Sequence, residues 1–296
     1  MDYKYQVGDR IYVTRCYNCG TKRWYPALKT DEVRYDILCP ECKKKFKKLG
    51  IPKLKSYTYR PDKYKIIGGK DPSYGHIGVE LEIDVLLHNI LDVLEVIEPY
   101  RKYKGKKLFW TNHELSVPNG FEIIFQPMNW HFLESNLVIK NIMDSLGDIG
   151  VGTGSLYNCG LHFHIDRKYF GKSSKEQDKR IYKFVYIFDK FQKELIELSD
   201  RDSFDIRNFC DFFGRIEKDR RDPKILLEEY SYGKYTSINL ENLDTVEVRL
   251  FSGTVSYEKF KKYLKILYAC MTSSHHFSKK ELYAIDNFDD ILSRWS

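Results

Sequence analysis

The sequence predicts an α+β fold, because segments with the two-residue period of β-strands occur along the chain together with segments that have the spacing of amphipathic helices. Four segments have the strand pattern and two have the helix pattern. Four of the seven cysteines lie in two short pairs within the first 42 residues. The predicted architecture is a sheet covered by helices and preceded by a small cysteine-containing module.

The length and composition are those of a folded protein with one large domain and one small one. The chain has 296 residues, of which 42% are hydrophobic and 15% aromatic, and it contains no visible repeat or low-complexity tract. No apolar run approaches the ~18 residues of a membrane span, and MDYKYQVGDR lacks the apolar core of a signal peptide. We therefore expect a soluble, cytoplasmic protein without a membrane partner.

The positive charge is concentrated near the N-terminus. Residues 1–70 carry 18 Lys and Arg against 7 Asp and Glu, a net charge of +11, so that the remaining residues sum to −4. A basic segment of this kind attracts nucleic acid or another polyanion. The run KKKFKK at 43–48 is equally compatible with a solvated turn.

The first part of the predicted fold is a zinc ribbon over residues 1–50. Cys16 and Cys19 form one Cys-x-x-Cys pair and Cys39 and Cys42 another, with 19 residues between them. Two such pairs supply the four thiolates of a tetrahedral Zn²⁺ site. Disulfides or free thiols are the alternative, and the lack of a secretion signal disfavours disulfides. The segment VRYDIL, residues 33–38, alternates like a short strand that leads into the second pair.

A four-thiolate site has no open position for a substrate, so this module is expected to dock a partner rather than to catalyse. The other cysteines, Cys159, Cys210 and Cys270, are scattered and are interpreted as buried thiols. A segment rich in Pro and Lys over 51–70 is predicted to be a linker. The main domain is then residues 71–296.

The first strand of the main domain, HIGVELEID at 76–84, has acids where apolar residues are expected. Glu80 and Glu82 share one face of this strand, because side chains alternate across a strand. Close carboxylates repel each other unless a cation or an arginine lies between them. A bound metal ion and a solvated strand face are both compatible with this pattern.

Three further strands carry charged or imidazole side chains on one face. The segment NGFEIIFQP contains Glu122, NCGLHFHID contains His162 and His164, and TVEVRLFSGT contains Glu247 and Arg249. Each segment alone is a weak signal. Together they supply oxygen ligands and imidazoles that suit Mg²⁺ or Mn²⁺, with an arginine suited to a transferring phosphoryl group.

Two segments are predicted to be helices that cover the back of the sheet. The apolar residues of each recur at helical spacing. They are Ile181, Phe184, Val185, Phe188, Phe191 and Leu195 in the first segment, and Phe260, Tyr263, Leu264 and Leu267 in the second.

In their order and spacing, GVELEID, FEIIFQP, NCGLHFHID and KYTSINLENLDTVEVRLFSGT resemble the amidoligases of the glutamine-synthetase-like carboxylate–amine ligase superfamily. The resemblance covers roughly residues 76–270 and excludes the cysteine module. It implies a glutamine-synthetase-like catalytic domain with a curved, mainly antiparallel sheet backed by helices. It also implies an ATP- and Mg²⁺-dependent ligase that forms an amide through an acyl phosphate.

The resemblance also implies roles for individual residues. The ligands of Mg²⁺ or Mn²⁺ are Glu80, Glu82, Glu122, His162 and Glu247. His164 matches a position near the phosphates, and Arg249 one that contacts the γ-phosphate, so that Arg249, His164 and Glu247 form the catalytic group. Lys234, Tyr235 and Asn239 match a stretch that lines the site, which implies that Lys234 and Asn239 contact the nucleotide. Arg207 is compatible with a nucleotide contact or with a surface ion pair.

One departure from the family pattern concerns the loop before Glu122. The family has an Asp-Gly-Ser-Leu segment there, whereas this chain has Asn112, His113 and Glu114 in its place. Glu114 either substitutes for the missing acid or is an exposed loop residue.

Two other classes of function remain open at this point. One is a metal-dependent phosphotransferase or hydrolase on the same scaffold. The other is a binding protein, in which the zinc module grips nucleic acid or a partner and the ligase domain is inactive. A ribbon that recruits a macromolecular substrate to an active ligase domain combines these features. The sequence does not identify the acid or the amine.

Overall fold

The computed structural model describes residues 11–26, 38–69, 75–85, 88–117, 119–154, 158–212, 227–228, 233 and 235–293. These residues form an α+β structure with a mainly antiparallel sheet, which confirms the predicted class. No described helix combines the length and the apolarity that crossing a lipid bilayer requires.

The N-terminal module consists of a hairpin followed by a helix. Strands β1 (Ile11–Arg15) and β2 (Lys22–Pro26) pair antiparallel, and the first cysteine pair lies in the turn between them. The second pair opens helix α1 (Pro40–Leu49), where Cys39 is the N-cap. Of the strand predicted at 33–38, residues 33–37 lie outside the described residues.

Helix α1 contains the basic run that the sequence left open. Pro40 stands at its first position and Gly50 ends it in the left-handed conformation, both favourable at those positions. Cys42 and Phe46 are one turn apart and buried, while the lysines of the helix are exposed. The lysines of KKKFKK therefore form the solvated face of a helix, and its Phe46 packs inward.

The main domain contains one large sheet and a set of helices. Its strands are β3 (His76–Asp84), β4 (Lys102–Tyr103), β5 (Lys106–Lys107), β6 (Phe109–His113), β7 (Gly120–Phe125), β8 (Met128–Asn129), β9 (Gly160–Asp166), β10 (Ile238–Asn239) and β11 (Thr245–Ser252). Its α-helices are α2 (Ile90–Ile97), α3 (Trp130–Ser135), α4 (Leu137–Asp148), α5 (Ser174–Lys190), α6 (Gln192–Ser199), α7 (Ser203–Phe209), α8 (Tyr257–His276), α9 (Lys279–Ala284) and α10 (Phe288–Ser293).

Seven strands of the described chain form this sheet, in the order β10, β11, β9, β3, β7, β6, with β8 paired to the start of β3. Every pairing in it is antiparallel. The four strands predicted from the sequence are β3, β7, β9 and β11. They are neighbours in the sheet, which brings their polar residues to one place.

The apolar face of the sheet packs against helix α8. Phe163 on β9 lies 5.6 Å from Phe251 on β11 and 6.0 Å from Phe260 on α8, between ring centroids. The ring of Phe251 stacks on Tyr263 of the same helix at 4.6 Å. Burial of these aromatic rings fixes which face of the sheet is left for polar side chains.

The two predicted helical segments are present. All the apolar residues named for them are buried. The first segment differs in one respect, because it consists of two helices, α5 and α6, that meet at Phe191. A capping box of Ser173 and Glu176 begins α5.

Residues 51–69, within the predicted linker, pack along the edge of the sheet. The backbone of Lys55 pairs with β6, donating from its N–H to Thr111 O at 2.8 Å and accepting from His113 N at 2.9 Å. Ile51, Leu54 and Ile67 are buried. A linker pattern was predicted from Pro and Lys content, whereas these apolar residues anchor the segment.

Candidate active site

The polar residues of four neighbouring strands project from one face of the sheet. Direct partners in an antiparallel pair place their side chains on the same face. Glu80 is paired with His162, Glu82 with Glu122, and Glu247 with His164. The strand register therefore brings these residues together on one face, as the sequence predicted.

Three of these residues lie close enough together to share one metal ion. Glu80, His164 and Glu247 each offer one ligand atom, and these atoms lie within 4.8 Å of one another. His164 Nε2 is 3.3 Å from Glu80 Oε1. The resemblance assigned His164 to the phosphates and His162 to the metal, whereas in the structure His164 belongs to this closest group.

His162 lies at the centre of the acidic residues. Its Nδ1 is 3.8 Å from Glu80 Oε2 and 3.7 Å from Glu247 Oε1, and its Nε2 is 3.8 Å from Glu82 Oε1. The residue is buried. Each ring nitrogen of this imidazole is close enough to the carboxylates to coordinate a metal ion together with them.

The charges of this group are strongly coupled. Burial alone would raise the pKa of Glu80, but the positive charges of His164 and His162 hold it well below its usual range. Burial would likewise lower the pKa of His164, but Glu80 and Glu247 raise it to about 9. Without a metal ion, the proton on His164 is a counter-charge of these carboxylates.

Glu122 has a different electrostatic environment. Burial, together with the nearby Glu80, Glu114 and Glu82, raises the pKa of Glu122 to about 10. Its strand partner Glu82 is buried and accepts a hydrogen bond from Gly160 N at 2.6 Å. Two adjacent buried carboxylates of this kind are stabilised by a divalent cation.

Arg249 lies where strand β11 departs from regular pairing. The register with β9 shifts between Val248 and Phe251, as at a β-bulge, and such an irregularity re-aims a side chain. Arg249 Nη1 donates to Glu247 Oε1 at 2.6 Å. Burial would lower the pKa of Arg249, but Glu247 and Glu82 raise it, so the guanidinium stays charged.

Asn239 acts on the same carboxylate. Its Nδ2 donates to Glu247 Oε2 at 2.8 Å, and its Oδ1 accepts from Glu241 N at 2.9 Å. Asn239 was predicted to contact the nucleotide. Its observed hydrogen bond orients Glu247, a member of the candidate metal site, and Asn239 also lines the cavity described next.

These residues line a cavity of about 1140 Å³. The predicted residues Glu80, Glu82, Glu122, His162, His164, Asn239, Glu247 and Arg249 all belong to its lining. Part of the wall comes from the segment predicted as a linker, through Tyr57, Arg60 and Tyr64. Pockets that hold a small ligand usually have ~300–1,000 Å³, so this cavity is large enough for a small-molecule ligand.

The remaining predicted residues have varied positions. Arg207 is exposed on α7, and within the described chain it is outside the cavity lining. Lys234 lies outside the described residues, whereas Tyr235 lines the cavity. Glu114 lines it as well and accepts from Ser116 N and Ser116 Oγ, both at 2.8 Å.

Glu114 is therefore a wall residue and is partly buried. Burial and the charge of Glu82 raise its pKa. Of the two interpretations left open by the sequence, the position favours an acid that faces the site. The Ser116 contacts hold it there.

Arg201 and Gly160 belong to the site although they were not predicted. Arg201 lines the cavity with a buried side chain, and its Nη1 bonds Asp205 Oδ2 at 3.0 Å. A Cβ on Gly160 would lie 2.5 Å from His162 Nε2 and 2.7 Å from Arg201 Nη2. The strand NCGLHFHID marked Gly160 only as part of the pattern, and nothing in the sequence distinguished Arg201 from a surface arginine.

The four cysteines of the N-terminal module form a second candidate metal centre. Ligand atoms of Cys16, Cys19, Cys39 and Cys42 lie within 4.8 Å of one another, so the cluster is able to hold a metal ion such as zinc. Burial and neighbouring sulfurs raise the pKa of Cys42 to about 12. Hydrogen bonds from Thr21 outweigh burial and lower the pKa of Cys19 to about 6. A dication would stabilise all four thiolates.

This centre is connected to the main domain through Asn18. Its Nδ2 donates to Cys42 Sγ at 3.1 Å, and its Oδ1 accepts from Leu91 N at 2.6 Å at the start of α2. Tyr17 also packs edge-on against His113 of β6, with ring centroids 4.5 Å apart. The geometry of the cysteine cluster is thus coupled to an edge of the sheet.

Comparison of the chain with protein-family models and with curated proteins finds no match. The chemistry of the cavity is therefore inferred from its residues and their geometry.

Proposed function

We propose that the main domain is an ATP- and Mg²⁺-dependent carboxylate–amine ligase with a glutamine-synthetase-like fold. The observation that carries this proposal is the convergence of Glu80, His164 and Glu247 on one face of the sheet, inside a cavity of about 1140 Å³. The four segments that resemble the amidoligases form adjacent strands with their polar residues on this face.

The donor set fits Mg²⁺ or Mn²⁺. Carboxylate oxygens with an occasional imidazole are the ligands that these ions accept. One ion would be held by Glu80, His164 and Glu247. A second would be held by Glu82 and Glu122, with His162 beside both groups. The bound ions supply positive charge that neutralises the phosphates of ATP.

The residues of the chain match the charge changes of this reaction. A substrate carboxylate attacks the γ-phosphorus of ATP, the bond to the β-phosphate oxygen breaks, and ADP leaves with an acyl phosphate remaining. Negative charge approaches negative charge in this step, and Arg249 stabilises it. Asn239 donates a hydrogen bond to Glu247, and Glu247 accepts another from Arg249. Together these two bonds fix the position of the Arg249 guanidinium.

Amide formation completes the reaction. The amine attacks the acyl carbon, the bond to the phosphate oxygen breaks, and the amine loses a proton as inorganic phosphate leaves. Water competes with the amine for the acyl phosphate, so the reacting group must be shielded. The buried apolar residues Val79, Ile124 and Phe125 of the cavity wall suit that role.

The N-terminal module is proposed to bind structural Zn²⁺ and to dock a macromolecular substrate or a nucleic acid. Its helix α1 presents five lysines to solvent next to the cysteine cluster. All seven cysteines are free of disulfide bonds, which fits a reducing, cytoplasmic compartment.

The proposal is tested by a screen for ADP release with candidate acids, with and without amines, in the presence of Mg²⁺. ADP release that requires both an acid and an amine supports ligation. Phosphate release that is independent of amine supports a phosphotransferase or hydrolase instead. Calorimetry that detects no Mg²⁺-dependent binding of ATP contradicts both and leaves the binding-protein alternative.

A further inference from the structure

We propose that Arg201 is a second anion-binding residue of the cavity, whose guanidinium binds an oxyanion of a substrate, a carboxylate of the acid or a phosphoryl group of ATP. The identity of the bound anion rests on the proposed function. The existence of an anion site rests only on the geometry around Arg201.

The backbone holds Arg201 in a defined position between α6 and α7. The preceding residue, Asp200, has a φ of 56°, which a residue with a side chain rarely adopts. Tyr263 of α8 donates to Asp200 Oδ2 at 2.8 Å and to Ser199 O at 3.1 Å. Arg201 N in turn donates to Ser199 Oγ at 3.2 Å. Contacts from two helices therefore direct this side chain into the cavity.

The guanidinium is held at one end and has unused hydrogen-bonding capacity at the other. Its Nη1 bonds Asp205 Oδ2, and the side chains of Arg201 and Asp205 are 2% and 1% exposed. Its Nε is buried and has no hydrogen-bond partner among the described residues. Such a donor is unfavourable without an acceptor, and Nε with Nη2 forms the planar fork that matches an oxyanion.

The free end lies next to the candidate metal ligands. The point where a Cβ of Gly160 would stand is 2.7 Å from Arg201 Nη2, 2.5 Å from His162 Nε2 and 3.2 Å from Glu82 Oε2. Gly160 is the residue that leaves room for this convergence. An anion on the fork of Arg201 would thus border the ions held by the acidic residues.

Arg249 has the same arrangement in the same cavity. Its Nη1 is bonded to the internal carboxylate of Glu247, and its buried Nε has no hydrogen-bond partner in the described chain. Arg201 and Arg249 each pair one nitrogen with an acid and leave the other side of the guanidinium free. Since the proposed reaction joins a carboxylate to a phosphoryl group, it needs cationic partners for both anions.

The test compares three variants with the wild type in the full-length protein. Arg201→Gln combined with Asp205→Asn removes both charges of the buried pair and retains polar side chains of similar size. Arg201→Lys retains the charge opposite Asp205 but lacks the fork. Lys193→Gln removes an exposed positive charge from α6 and is the control.

Calorimetry measures binding of inorganic phosphate, of succinate, and of Mg²⁺ with a non-hydrolysable ATP analogue, and thermal unfolding monitors the fold. We expect the double variant and Arg201→Lys to bind at least one oxyanion about tenfold or more weakly, while Lys193→Gln matches the wild type. A loss for phosphate and nucleotide assigns the fork to a phosphoryl group. A loss for succinate, or a raised KM for the acid in ADP release with kcat retained, assigns it to the carboxylate.

Equal binding by the wild type, the double variant and Arg201→Lys would overturn the proposal, as would a wild type that binds none of the three probes. Arg201→Lys decides the outcome if the double variant does not fold. Failure of the ligase proposal is recognised separately, because phosphate and succinate binding do not depend on ligation. If the wild type releases no ADP but its binding of these anions depends on Arg201, the anion-site proposal stands and only the ligase proposal fails.

Discussion

Glu82 and Glu122 are direct partners across strands β3 and β7, so two buried carboxylates lie side by side on the face that lines the cavity. Such a pair repels itself unless a proton or a cation lies between its members. In the ion-free protein that role falls to a proton on Glu122, whose pKa is raised to about 10 by burial and by the neighbouring acids.

Glu122→Gln is therefore predicted to separate ion binding from stability. The amide resembles the protonated acid, so the free energy of unfolding without ions should not fall by more than ~1 kcal/mol. The affinity for Mn²⁺ should fall at least about tenfold, because an anionic oxygen ligand is lost. Denaturant unfolding and calorimetry with MnCl₂ measure the two effects. The exposed Glu258→Gln serves as the control, and an unchanged Mn²⁺ affinity in Glu122→Gln would exclude Glu122 as a ligand.

The sequence predicted the strands and their polar face because both follow from a local period. Glu80 and Glu82, like His162 and His164, are two residues apart, and that spacing alone places each pair on one face. The adjacency of the four strands depends on pairing between distant segments. It was anticipated from the combined chemistry of their polar residues and from the resemblance, and the pairing of β11, β9, β3 and β7 supplies it.

Other parts of the site depend on tertiary contacts that no local pattern encodes. Arg249 points into the cavity at an irregularity of β11, and Arg201 does so because Tyr263 and Asp200 position the turn before it. The linker pattern of 51–70 missed the backbone pairing of Lys55 with β6. Its Pro and Lys content indicated an exposed segment, while the few buried apolar residues decide its path.

Glu247→Ala and Arg249→Ala are each predicted to lower turnover by at least about 10²-fold. Each substitution removes a preorganised group that stabilises charge in the phosphoryl transfer, which is the scale for one such group. Steady-state ADP release with the acid and amine found by the screen measures this effect. Lys261→Ala, on an exposed part of α8, should be unaffected. Rates like those of the wild type in both site variants would refute the assignment.

Cys19→Ser is predicted to remove Zn²⁺ from the N-terminal module and to lower the unfolding temperature. A tetrahedral site loses most of its affinity for Zn²⁺ when one of its four thiolates is removed. Because Asn18 bonds both Cys42 and Leu91, the loss of the metal should also destabilise the contact with the main domain. Elemental analysis should find about one zinc per chain in the wild type and much less in the variant.

Cys270→Ala is the matched control for this prediction, because Cys270 is a buried thiol of α8 that does not belong to the cluster. It should retain the zinc content of the wild type. A Cys19→Ser protein with full zinc content would show that the four cysteines do not act together.

Gly160→Ala is predicted to damage the site more than the fold. The added Cβ would stand 2.5 Å from His162 Nε2 and 2.7 Å from Arg201 Nη2, so both side chains must move. Overpacking of this kind destabilises by about 1–3 kcal/mol, and Mn²⁺ affinity should fall at the same time. Gly147→Ala is the control, because it lies in helix α4 and its Cβ would meet Val255 at an ordinary 3.7 Å. Mn²⁺ affinity in Gly160→Ala equal to that of the wild type would contradict the predicted crowding.

His275 of α8 is predicted to make the fold sensitive to acid. Burial, with Arg180, Lys183 and His276 nearby, lowers the pKa of His275 to about 4, and its ring lies 4.4 Å from that of Tyr169. The unfolded chain binds a proton below its pKa of ~6.5 while the folded protein does not, so the contribution of His275 to stability is complete above that pH. It decreases as the pH falls from about 6.5 toward 4.

Denaturant unfolding of His275→Gln across this pH range tests the sign. Between pH 6.5 and 4, the free energy of unfolding should decrease less in the variant than in the wild type, because glutamine does not titrate. Glutamine also retains a hydrogen-bond donor for the backbone of Tyr169. The folded state disfavours a protonated imidazole beside Arg180 and Lys183. If the free energy of unfolding of His275→Gln depends on pH as steeply as that of the wild type, the acid sensitivity belongs to other groups.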